Sequence, residues 1–527
     1  MRFLLVAGLV TVGGCAGGAA TEGRSALTTA RREEQVVIGA HNEITHVSAG
    51  ERLVFATSTR GVIIYDALFR GWLPPMEMMD TFRRSPSALA ADPTEDAVWV
   101  GTTGQVIYYR PRIDYAVTAT VSGAPQEIFF DRRDLSAGAY VRVGPSFVRV
   151  SRTGSAIPVG ALPAPEDRLH SPTARDVFRR YPSLETFLPL LTRDDDLEQW
   201  QATAATLAPG RSEVWLGTRG NGLFRVDPTF NRSEHLPFGL MEPGVGALAL
   251  AADGVWSAGL GTPVARSGLV FASNDLQRWR WVSGPPSRPL MGARVRALGI
   301  RDQSAWIGTT RGLLRMAVDD DNEVSRWDVG DGLPSDVVTS VAPYSDGAWV
   351  GTTAGLAFVG RTARGVGPRV AIHDLVLSGD TLWIASAAGA LALAGPDSAP
   401  RRLAIDDARI SRAIEALARS DTVLALATDA ELIEIDLTAR RLLPPRAANV
   451  AAVRRIERVA MDASTIWLAG EGGVLAIHRA SGRSTLLPVG VNLPAAATTV
   501  VLARDIAWIG TRDGLVRIRR RSDGMPP

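Results

Sequence analysis

The stretch WDVGDGLPSDVVTSVAPYSDGAWVGTTAGLAFV, residues Trp327–Val359, contains the pattern from which the fold is predicted. An apolar run, VVTSVAPY, is joined by the turn SDG to a second run, AWVG, and by TTAG to a third, LAFV. The runs are short, rich in branched and aromatic residues, and bounded by Gly, Asp, Ser and Pro, which is typical of strands rather than helices. The stretch therefore predicts a small sheet of strands joined by tight turns.

The same pattern recurs along the whole chain. Alignment on W-x-G-T-x-x-G-L gives eleven copies with a period of about 42 residues, apart from one spacing of 75. This period is typical of four-stranded propeller blades. Because a large apolar residue on the second strand can fill the gap between packed sheets, we interpret the aligned residues as packing residues. They are Phe55, Trp99, Tyr140, Trp215, Trp256, Trp306, Trp349, Trp383, Ala425, Trp467 and Trp508.

The fold class that follows is all-β, a β-propeller of about 11 four-stranded blades with a short helical insertion. The number of rings stays open between one large closed ring and two rings, of about five and six blades. The last copy has only three strands, and an open ring would expose strand edges. We therefore expect residues 35–39 to supply the missing outer strand of the last blade.

The chain divides into five predicted segments. They are a lipoprotein signal peptide, a flexible tether, propeller blades 1–3, a helical insertion and propeller blades 4–11, in residues 1–14, 15–34, 35–162, 163–202 and 203–527. The insertion shows apolar residues at helical spacing. It is either an elaboration packed on the rim or an arm that binds a partner.

The N-terminus predicts a lipid anchor. A basic Arg2, an apolar run and small residues before Cys15 have the layout of a secretory signal. VGGC resembles the lipobox of bacterial lipoproteins, and Cys15 is the only cysteine in the chain. We expect lipid attachment at Cys15 and a location in the cell envelope, with the lipid as the only membrane contact. In a host with two membranes we expect the outer membrane, on its periplasmic or surface side.

Composition and motifs exclude several function classes. Hydrophobic residues make up 46% and charged residues 21% of the chain, as in folded proteins, and the net charge of +2 lacks the basic excess of nucleic-acid binders. The six histidines lack metal-ligand spacing, and the acidic run at 319–323 lacks the pattern of a calcium loop. No phosphate loop, dinucleotide motif or nucleophile elbow occurs in the sequence. We expect no metal, no cofactor and no catalytic residue.

Four arginines are the candidate ligand-binding residues. Arg60, Arg219, Arg311 and Arg512 fall between the second and third strands of their copies, and these connections lie on one face of a propeller. Arginines gathered on one face can bind an anionic glycan or a carboxylate. The alternative is that they are ordinary solvated turn residues.

The segment DGLPSDVVTSVAPYSDGAWVGTTAGL, Asp331–Leu356, resembles the two-component regulator propeller repeat. WLGTRGNGLFRVD (215–227), WIGTTRGLLRM (306–316) and WIGTRDGLVRI (508–518) share its pattern, whereas WIASAAGALAL and WLAGEGGVLAI keep the spacing but lose Gly-Thr. The resemblance extends in stretches over residues 36–521. In that family, such propellers often form periplasmic sensors of hybrid histidine kinases that recognise carbohydrate fragments. Because no membrane-spanning helix or kinase follows the repeats here, the resemblance implies a binding surface without signalling activity of its own.

These observations lead to one leading functional hypothesis and two alternatives. We expect a lipid-anchored, non-catalytic envelope propeller that binds another protein as a scaffold or interaction platform. The first alternative is a propeller that binds or senses a glycan or small ligand and acts with a separate signalling or transport protein. The second is a propeller hydrolase or lyase, which requires paired carboxylates that the sequence does not identify.

Replacement of Cys15 by serine removes the only sulfur that can carry the predicted lipid. We expect the Cys15→Ser variant to leave the membrane fraction for the soluble fraction, because no later segment is apolar enough to anchor it. Fractionation of cells that express the wild-type and variant proteins measures the change. Unchanged retention of the variant in membranes would contradict lipid anchoring at this residue.

Overall fold

The computed structural model describes residues 34–527 apart from 78–84, 195–197, 262–267, 284–289, 291, 319–323, 346, 396, 430 and 447. The predicted signal peptide, Cys15, nearly all of the tether and the acidic run at 319–323 lie outside these described residues. Within them, the strands form eleven antiparallel sheets, ten with four strands and one with five. The prediction of an all-β propeller with about eleven blades and a short helical insertion is confirmed.

The blades are numbered 1–11 along the chain, and the strands of each are given from the inner to the outer. Blade 1 consists of Ile44–Ala49, Leu53–Ser58, Gly61–Asp66 and Gly71–Glu77. Blade 2 consists of Ala88–Ala91, Val98–Thr102, Gln105–Arg110 and Tyr115–Thr120. Blade 3 consists of Arg168–His170, Pro125–Asp131, Ala139–Val143, Ser146–Val150 and Ala156–Pro158. Blade 4 consists of Ala202–Leu207, Val214–Thr218, Leu223–Asp227 and Arg232–Leu236.

Blades 5–8 have the same order of strands. Blade 5 consists of Val245–Leu250, Gly254–Gly259, Leu269–Ser273 and Trp279–Val282. Blade 6 consists of Val295–Arg301, Ser304–Thr309, Gly312–Ala317 and Val324–Trp327. Blade 7 consists of Val338–Tyr344, Gly347–Thr352, Gly355–Val359 and Ala363–Val366. Blade 8 consists of Ile372–Ser378, Thr381–Ser386, Gly389–Ala394 and Arg401–Arg402.

Blades 9–11 are the last three blades along the chain. Blade 9 consists of Ala416–Ser420, Val423–Ala427, Leu432–Asp436 and Arg441–Leu442. Blade 10 consists of Ile456–Met461, Thr465–Gly470, Gly473–His478 and Ser484–Pro488. Blade 11 consists of Ala497–Leu502, Ile506–Thr511, Gly514–Arg519 and Gln35–Ile38. The α-helices are α1, Ala174–Arg180, and α2, Pro182–Leu191, and 3-10 turns occur at Pro111–Ile113, Leu135–Ala137, Pro165–Asp167, Val329–Asp331, Ala408–Ser411 and Val450–Val453.

Blades 5–11 form a closed ring of seven, here called the ring. Their inner strands contact one another in chain order, and the inner strand of blade 11 contacts that of blade 5. Across this last junction, the Thr498 hydroxyl donates a hydrogen bond of 2.7 Å to the Val245 carbonyl. The outer strand of blade 11 is Gln35–Ile38, which pairs antiparallel with Gly514–Arg519. The blades therefore form neither a single ring of eleven nor rings of five and six.

Blades 1–4 form a second unit, here called the four-blade unit. The inner strand of blade 1 contacts those of blades 2 and 4, and the inner strand of blade 2 contacts Pro125–Asp131, the second strand of blade 3. Helices α1 and α2 pack on the face of blade 4 that points away from blade 1, where Val177 and Leu184 are buried against Leu216 and Phe224. The helices thus cover a sheet face that would otherwise be exposed. Neither helix reaches the length and hydropathy that a membrane-spanning helix needs within the described residues.

The predicted insertion, residues 163–202, has two parts. Its first part contains Arg168–His170, which pairs with the strand Pro125–Asp131 and adds a fifth strand to blade 3. Its second part contains the two helices. Blade 3 therefore extends further along the chain than the sequence indicates, because a three-residue strand is too short to produce a recognisable pattern.

The repeated Gly-Thr motif forms the turn between the second and third strands. In blade 6, the Thr309 hydroxyl donates a hydrogen bond of 2.9 Å to the Gly312 carbonyl. Gly312 has a φ of 104°, and a Cβ atom there would lie 2.3 Å from the Trp327 carbonyl oxygen. Only glycine meets both requirements at low cost. The motif is therefore structural.

The aligned second-strand residues lie between the sheets as predicted. Trp99, Trp215, Trp467 and Trp508 are fully buried, whereas Trp383 is partly exposed. Trp215 of blade 4 and Trp508 of blade 11 belong to one continuous apolar cluster that also contains residues of blades 1 and 5. The two units therefore share a core.

We expect Ile38→Ala to destabilise the protein, because Ile38 is fully buried in the strand that completes blade 11. Truncation of a buried isoleucine costs about 2–5 kcal/mol of unfolding free energy. Ile157→Ala is the matched control, because Ile157 lies half exposed in the outer strand of blade 3. Urea unfolding of both variants measures the difference, and equal effects would contradict the role of the N-terminal strand.

Candidate functional site

Each unit has two faces, which follow from the antiparallel order of its strands. The turns between second and third strands and the loops between blades lie on one face, here called the mouth face. The turns between first and second strands, and between third and outer strands, lie on the opposite face, here called the hairpin face. All four predicted arginines are in turns on mouth faces.

Arg60 lies at the junction of the two units. Its guanidinium is 2.6 Å from the Asp513 carboxylate of blade 11 and 3.4 Å from the Glu77 carboxylate of blade 1. The structure therefore brings Arg60 to the turn that contains Arg512. Since two carboxylates of this chain already contact Arg60, its observed role is to join the units.

A buried polar network surrounds this junction. The His41 ring contacts the Ser58 hydroxyl at 2.8 Å and the Glu77 carboxylate at 2.7 Å. The Gly39 N–H also donates to Glu77, at 2.8 Å. Burial raises the pKa of Glu77, but the interactions with His41, Arg60 and Gly39 outweigh it and hold this pKa below the ordinary 4.5. The Ser58, His41 and Glu77 side chains are all buried, so the network stabilises the junction rather than offering a reactive group.

The other three predicted arginines are exposed and lie on separate blades. Arg219 of blade 4 is 3.7 Å from Glu43, and Arg512 of blade 11 is 3.8 Å from Glu471. Exposed ion pairs of this kind contribute little free energy. The Arg311 guanidinium of blade 6 has no ion-pair or hydrogen-bond partner among the described residues.

A second group of residues, most of them polar or charged, lies where the inner strands of the ring begin. In six of the seven blades, a register shift leaves the second residue of the inner strand unpaired. Three of these side chains reach the next blade: Thr498 bonds Val245, Thr339 bonds the Ile372 carbonyl at 2.6 Å, and His373 bonds the Ile414 carbonyl at 2.8 Å. The corresponding residues surround the ring axis and define the axial mouth. They are Gly246, Arg296, Thr339, His373, Glu415, Glu457 and Thr498.

The Arg458 side chain spans the ring beneath this mouth. Arg458 belongs to the inner strand of blade 10. Its guanidinium donates hydrogen bonds of 3.0 Å to the carbonyls of Arg296 in blade 6 and Thr339 in blade 7. Blades 6 and 7 lie across the ring from blade 10. A third bond, of 3.0 Å, goes to the Glu457 carbonyl. Arg458 therefore forms a positively charged floor to the mouth.

Carboxylates only partly balance Arg296 of the mouth and its neighbours Arg294, Arg455 and Arg458. Arg455 pairs with Glu457 at 3.5 Å, and the His373 ring lies 3.5 Å from Glu415. No carboxylate among the described residues is within ion-pair distance of Arg294 or Arg296. Burial, and then the nearby charges of Arg294 and Arg458, lower the pKa of Arg296. Such crowding of like charges favours the approach of an anion.

The nearby carboxyl of Asp374 does not offset this charge fully. It is buried in the wall of the ring and accepts hydrogen bonds from the N–H groups of Leu375 at 3.0 Å and Leu417 at 3.2 Å. Burial raises the pKa of Asp374. Because it bonds backbone of blades 8 and 9, its role is to hold these blades together below the mouth.

The hairpin face of the four-blade unit is unusually apolar. Turns between third and outer strands expose large apolar side chains in blades 1, 2 and 4. These are Leu68, Phe69, Ile113, Tyr115 and Phe230. The exposed large apolar residues of the ring, within its described part, are all aliphatic: Leu250, Val329, Leu486, Val489 and Val491. Exposed aromatic residues are therefore a property of the four-blade unit and its helices.

A cavity of about 470 Å³ lies between α1 and blades 3 and 4. It is lined by His170, Ser171, Pro172, Asp176, Arg179, Arg180 and Leu207. Arg179 pairs with Asp176 at 2.7 Å, and His170 lies 3.2 Å from Glu127. Most of its charged groups are thus already paired. In the described part of the chain, no group of three or more His, Cys, Asp or Glu residues is arranged to hold a metal ion.

The repeat pattern does not point to the axial mouth. The predicted arginines lie in turns after the aligned residue of the repeat, whereas each mouth residue lies ten positions before it, as Arg296 does before Trp306. These positions carry seven residues of five different types, so no conserved letter marks them along the chain. Only the closed ring brings them together.

No protein-family model and no curated protein matches the chain. Among solved structures, PorZ, an essential bacterial surface component of the type-IX secretion system of Porphyromonas gingivalis, is 11% identical with a TM-score of 0.43 over 91% of this chain and 74% of PorZ. The extracellular domain of the putative hybrid two component system BT4673 from B. thetaiotaomicron is 11% identical with a TM-score of 0.31, over 90% and 75%. The WD40 β-propeller domain of Doa1 is 12% identical with a TM-score of 0.39, over 53% and 94%. These similarities concern the fold alone.

We expect Glu77→Gln to lower the unfolding free energy at pH 7 by about 1–3 kcal/mol, because it removes the charge that His41 and Arg60 contact. Since the folded pKa of Glu77 is lowered, the carboxylate stabilises the fold fully above pH 4.5, and this contribution is lost as the pH falls through the folded value. The difference in unfolding free energy between the wild type and the variant should therefore narrow below pH 4.5. Urea unfolding at several pH values measures this difference, with the exposed Glu43→Gln as the control. A difference that does not change with pH would contradict the role of the Glu77 charge.

Proposed function

We propose that this protein is a lipid-anchored, non-catalytic envelope propeller that binds another protein through the hairpin face of its four-blade unit. The observation that carries the proposal is the exposure of Phe69, Tyr115 and Phe230 in, or directly after, the corresponding turns of neighbouring blades. Aromatic residues are enriched in protein interfaces, and clustered exposed apolar groups are uncommon elsewhere on soluble surfaces. Leu68 and Ile113 are further exposed apolar residues of the same face.

The surroundings of these aromatic residues are suited to a protein partner. The Arg52 guanidinium lies 4.6 Å from the Phe69 ring centroid and 2.6 Å from the Asp66 carboxylate. The apolar groups are thus bordered by charged groups that are held in place. This combination of an apolar centre and a polar rim is typical of protein interfaces.

The repeat pattern and the N-terminus support the cellular setting of this proposal. The Asp331–Leu356 segment fits the two-component regulator propeller repeat, a class of periplasmic binding propellers. The signal-like segment before Cys15 fits export and acylation. We infer a location at the cell envelope, where the predicted tether leads into blade 11 and the adjoining four-blade unit is available to a neighbouring envelope protein.

The second candidate function is ligand binding or sensing in the ring. The unbalanced arginines of the axial mouth favour it, as an anionic glycan or another small acidic ligand would be attracted there. A hydrolase or lyase receives less support, because Glu457 contacts Arg455 and Glu415 contacts His373, so each mouth carboxylate already has a cationic or imidazole neighbour. Protein binding and ligand binding are both functions of a non-catalytic binding propeller.

We expect crosslinking in native cells to capture one stoichiometric protein partner with the wild type, and several-fold less of it with a Phe69→Ser, Phe230→Ser double variant. The loss follows because the two substitutions remove the largest exposed aromatic groups of the proposed interface. Quantitative mass spectrometry measures the captured partner.

The matched control is Leu250→Ser with Val491→Ser, which changes two exposed apolar residues of the ring instead. This variant should capture the partner as the wild type does. Equal capture by both double variants would contradict the assigned face. The absence of any partner, when a known envelope complex is crosslinked in the same cells, would contradict the proposed function.

A further inference from the structure

We infer that the axial mouth of the ring is a binding site for a small carboxylate ligand, held by Arg294 and Arg296 above Arg458. This site is separate from the proposed protein-binding face, which belongs to the four-blade unit. The inference rests on the charge balance of the mouth, on the fixed position of its floor and on the shape of the arginine side chain.

No carboxylate of the described structure lies at ion-pair distance from the three guanidinium groups, and Glu457 and Asp374 act on Arg296 and Arg458 only from further away. Arg294 is exposed, Arg296 is half-buried, and Arg458 bonds only backbone carbonyls, so none of the three is within ion-pair distance of a described carboxylate. Three like charges in one partly buried place repel one another. A bound anion would relieve this repulsion, which gives the mouth an affinity for negative charge.

The floor of the site is held in place before any ligand arrives. Three hydrogen bonds to three carbonyls fix the Arg458 guanidinium, so binding costs little side-chain entropy there. The carbonyls leave its positive charge unneutralised. Because the side chain bonds blades 6 and 7 across the ring, it also stands in the path of a ligand that would pass through the ring.

The residues of the rim favour a small carboxylate ligand over an extended polyanion. Glu415 and Glu457 lie at positions equivalent to Arg296 and repel extended negative charge. A guanidinium presents two parallel N–H groups that match the two oxygens of a carboxylate. Arg296 is the residue placed for this contact, since it lies at the mouth itself and has no competing partner among the described residues.

The test uses isothermal titration calorimetry of the full chain with succinate, and with the neutral isostere succinamide. We expect saturable binding of succinate alone, weakened by added salt. Arg296→Gln should reduce the affinity by about tenfold or more, as loss of a charged hydrogen bond predicts. Arg512→Gln, which removes an exposed arginine of the same face, should leave the affinity within about twofold, because its pair with Glu471 is a surface contact.

A second measurement shows that Arg296→Gln is folded. Because the substitution removes one of three crowded charges, its thermal midpoint at low salt should equal or exceed that of the wild type. Failure to bind succinate, binding unchanged by Arg296→Gln, or tighter binding of inorganic phosphate than of succinate would each overturn the inference. Succinate binding should persist in the Phe69→Ser, Phe230→Ser variant, so failure of this site is distinguishable from failure of the proposed protein interface.

Discussion

The pairing of Gln35–Ile38 with Gly514–Arg519 is the constraint on which the rest of the structure depends. It brings the beginning and the end of the described chain into blade 11 and covers the strand edge that the last repeat leaves open. With blade 11 completed, its inner strand can pack against blade 5 and close the ring. The same pairing carries the chain directly into blade 1, so the four-blade unit must sit beside blade 11, where Arg60 meets Asp513.

The blades could be predicted from the sequence, but their grouping could not. Strand periodicity, the Gly-Thr turn and the aligned tryptophans are local features, and each blade repeats them whichever ring it joins. The grouping depends on contacts between distant segments, such as those that place Trp215 and Trp508 in one core. It also depends on α1 and α2, which cover the free face of blade 4 and so stabilise a unit of four blades.

The residues of the candidate sites, like the blades, could be predicted only where a local sequence pattern marks them. Arg60 and Arg512 were recognised as mouth-face residues from the turn pattern, yet Arg60 is engaged with Glu77 and Asp513. Strand alternation does not mark Arg296, because a register shift at the start of its strand leaves it unpaired. The exposed aromatic residues of the four-blade unit lie in turns of differing sequence, so only the structure shows that they share a face.

The distance between blades 5 and 11 tests the seven-bladed ring most directly. Spin labels at Leu250→Cys and Arg504→Cys, in a Cys15→Ser background, would lie at or beside the first turns of these two blades. Pulsed electron paramagnetic resonance would then measure the distance between the two labels. We predict a short distance, similar to that of a reference pair at Leu250→Cys and Arg301→Cys in the adjacent blades 5 and 6. A distance much longer than the reference would place blades 5 and 11 apart and contradict the closed ring of seven.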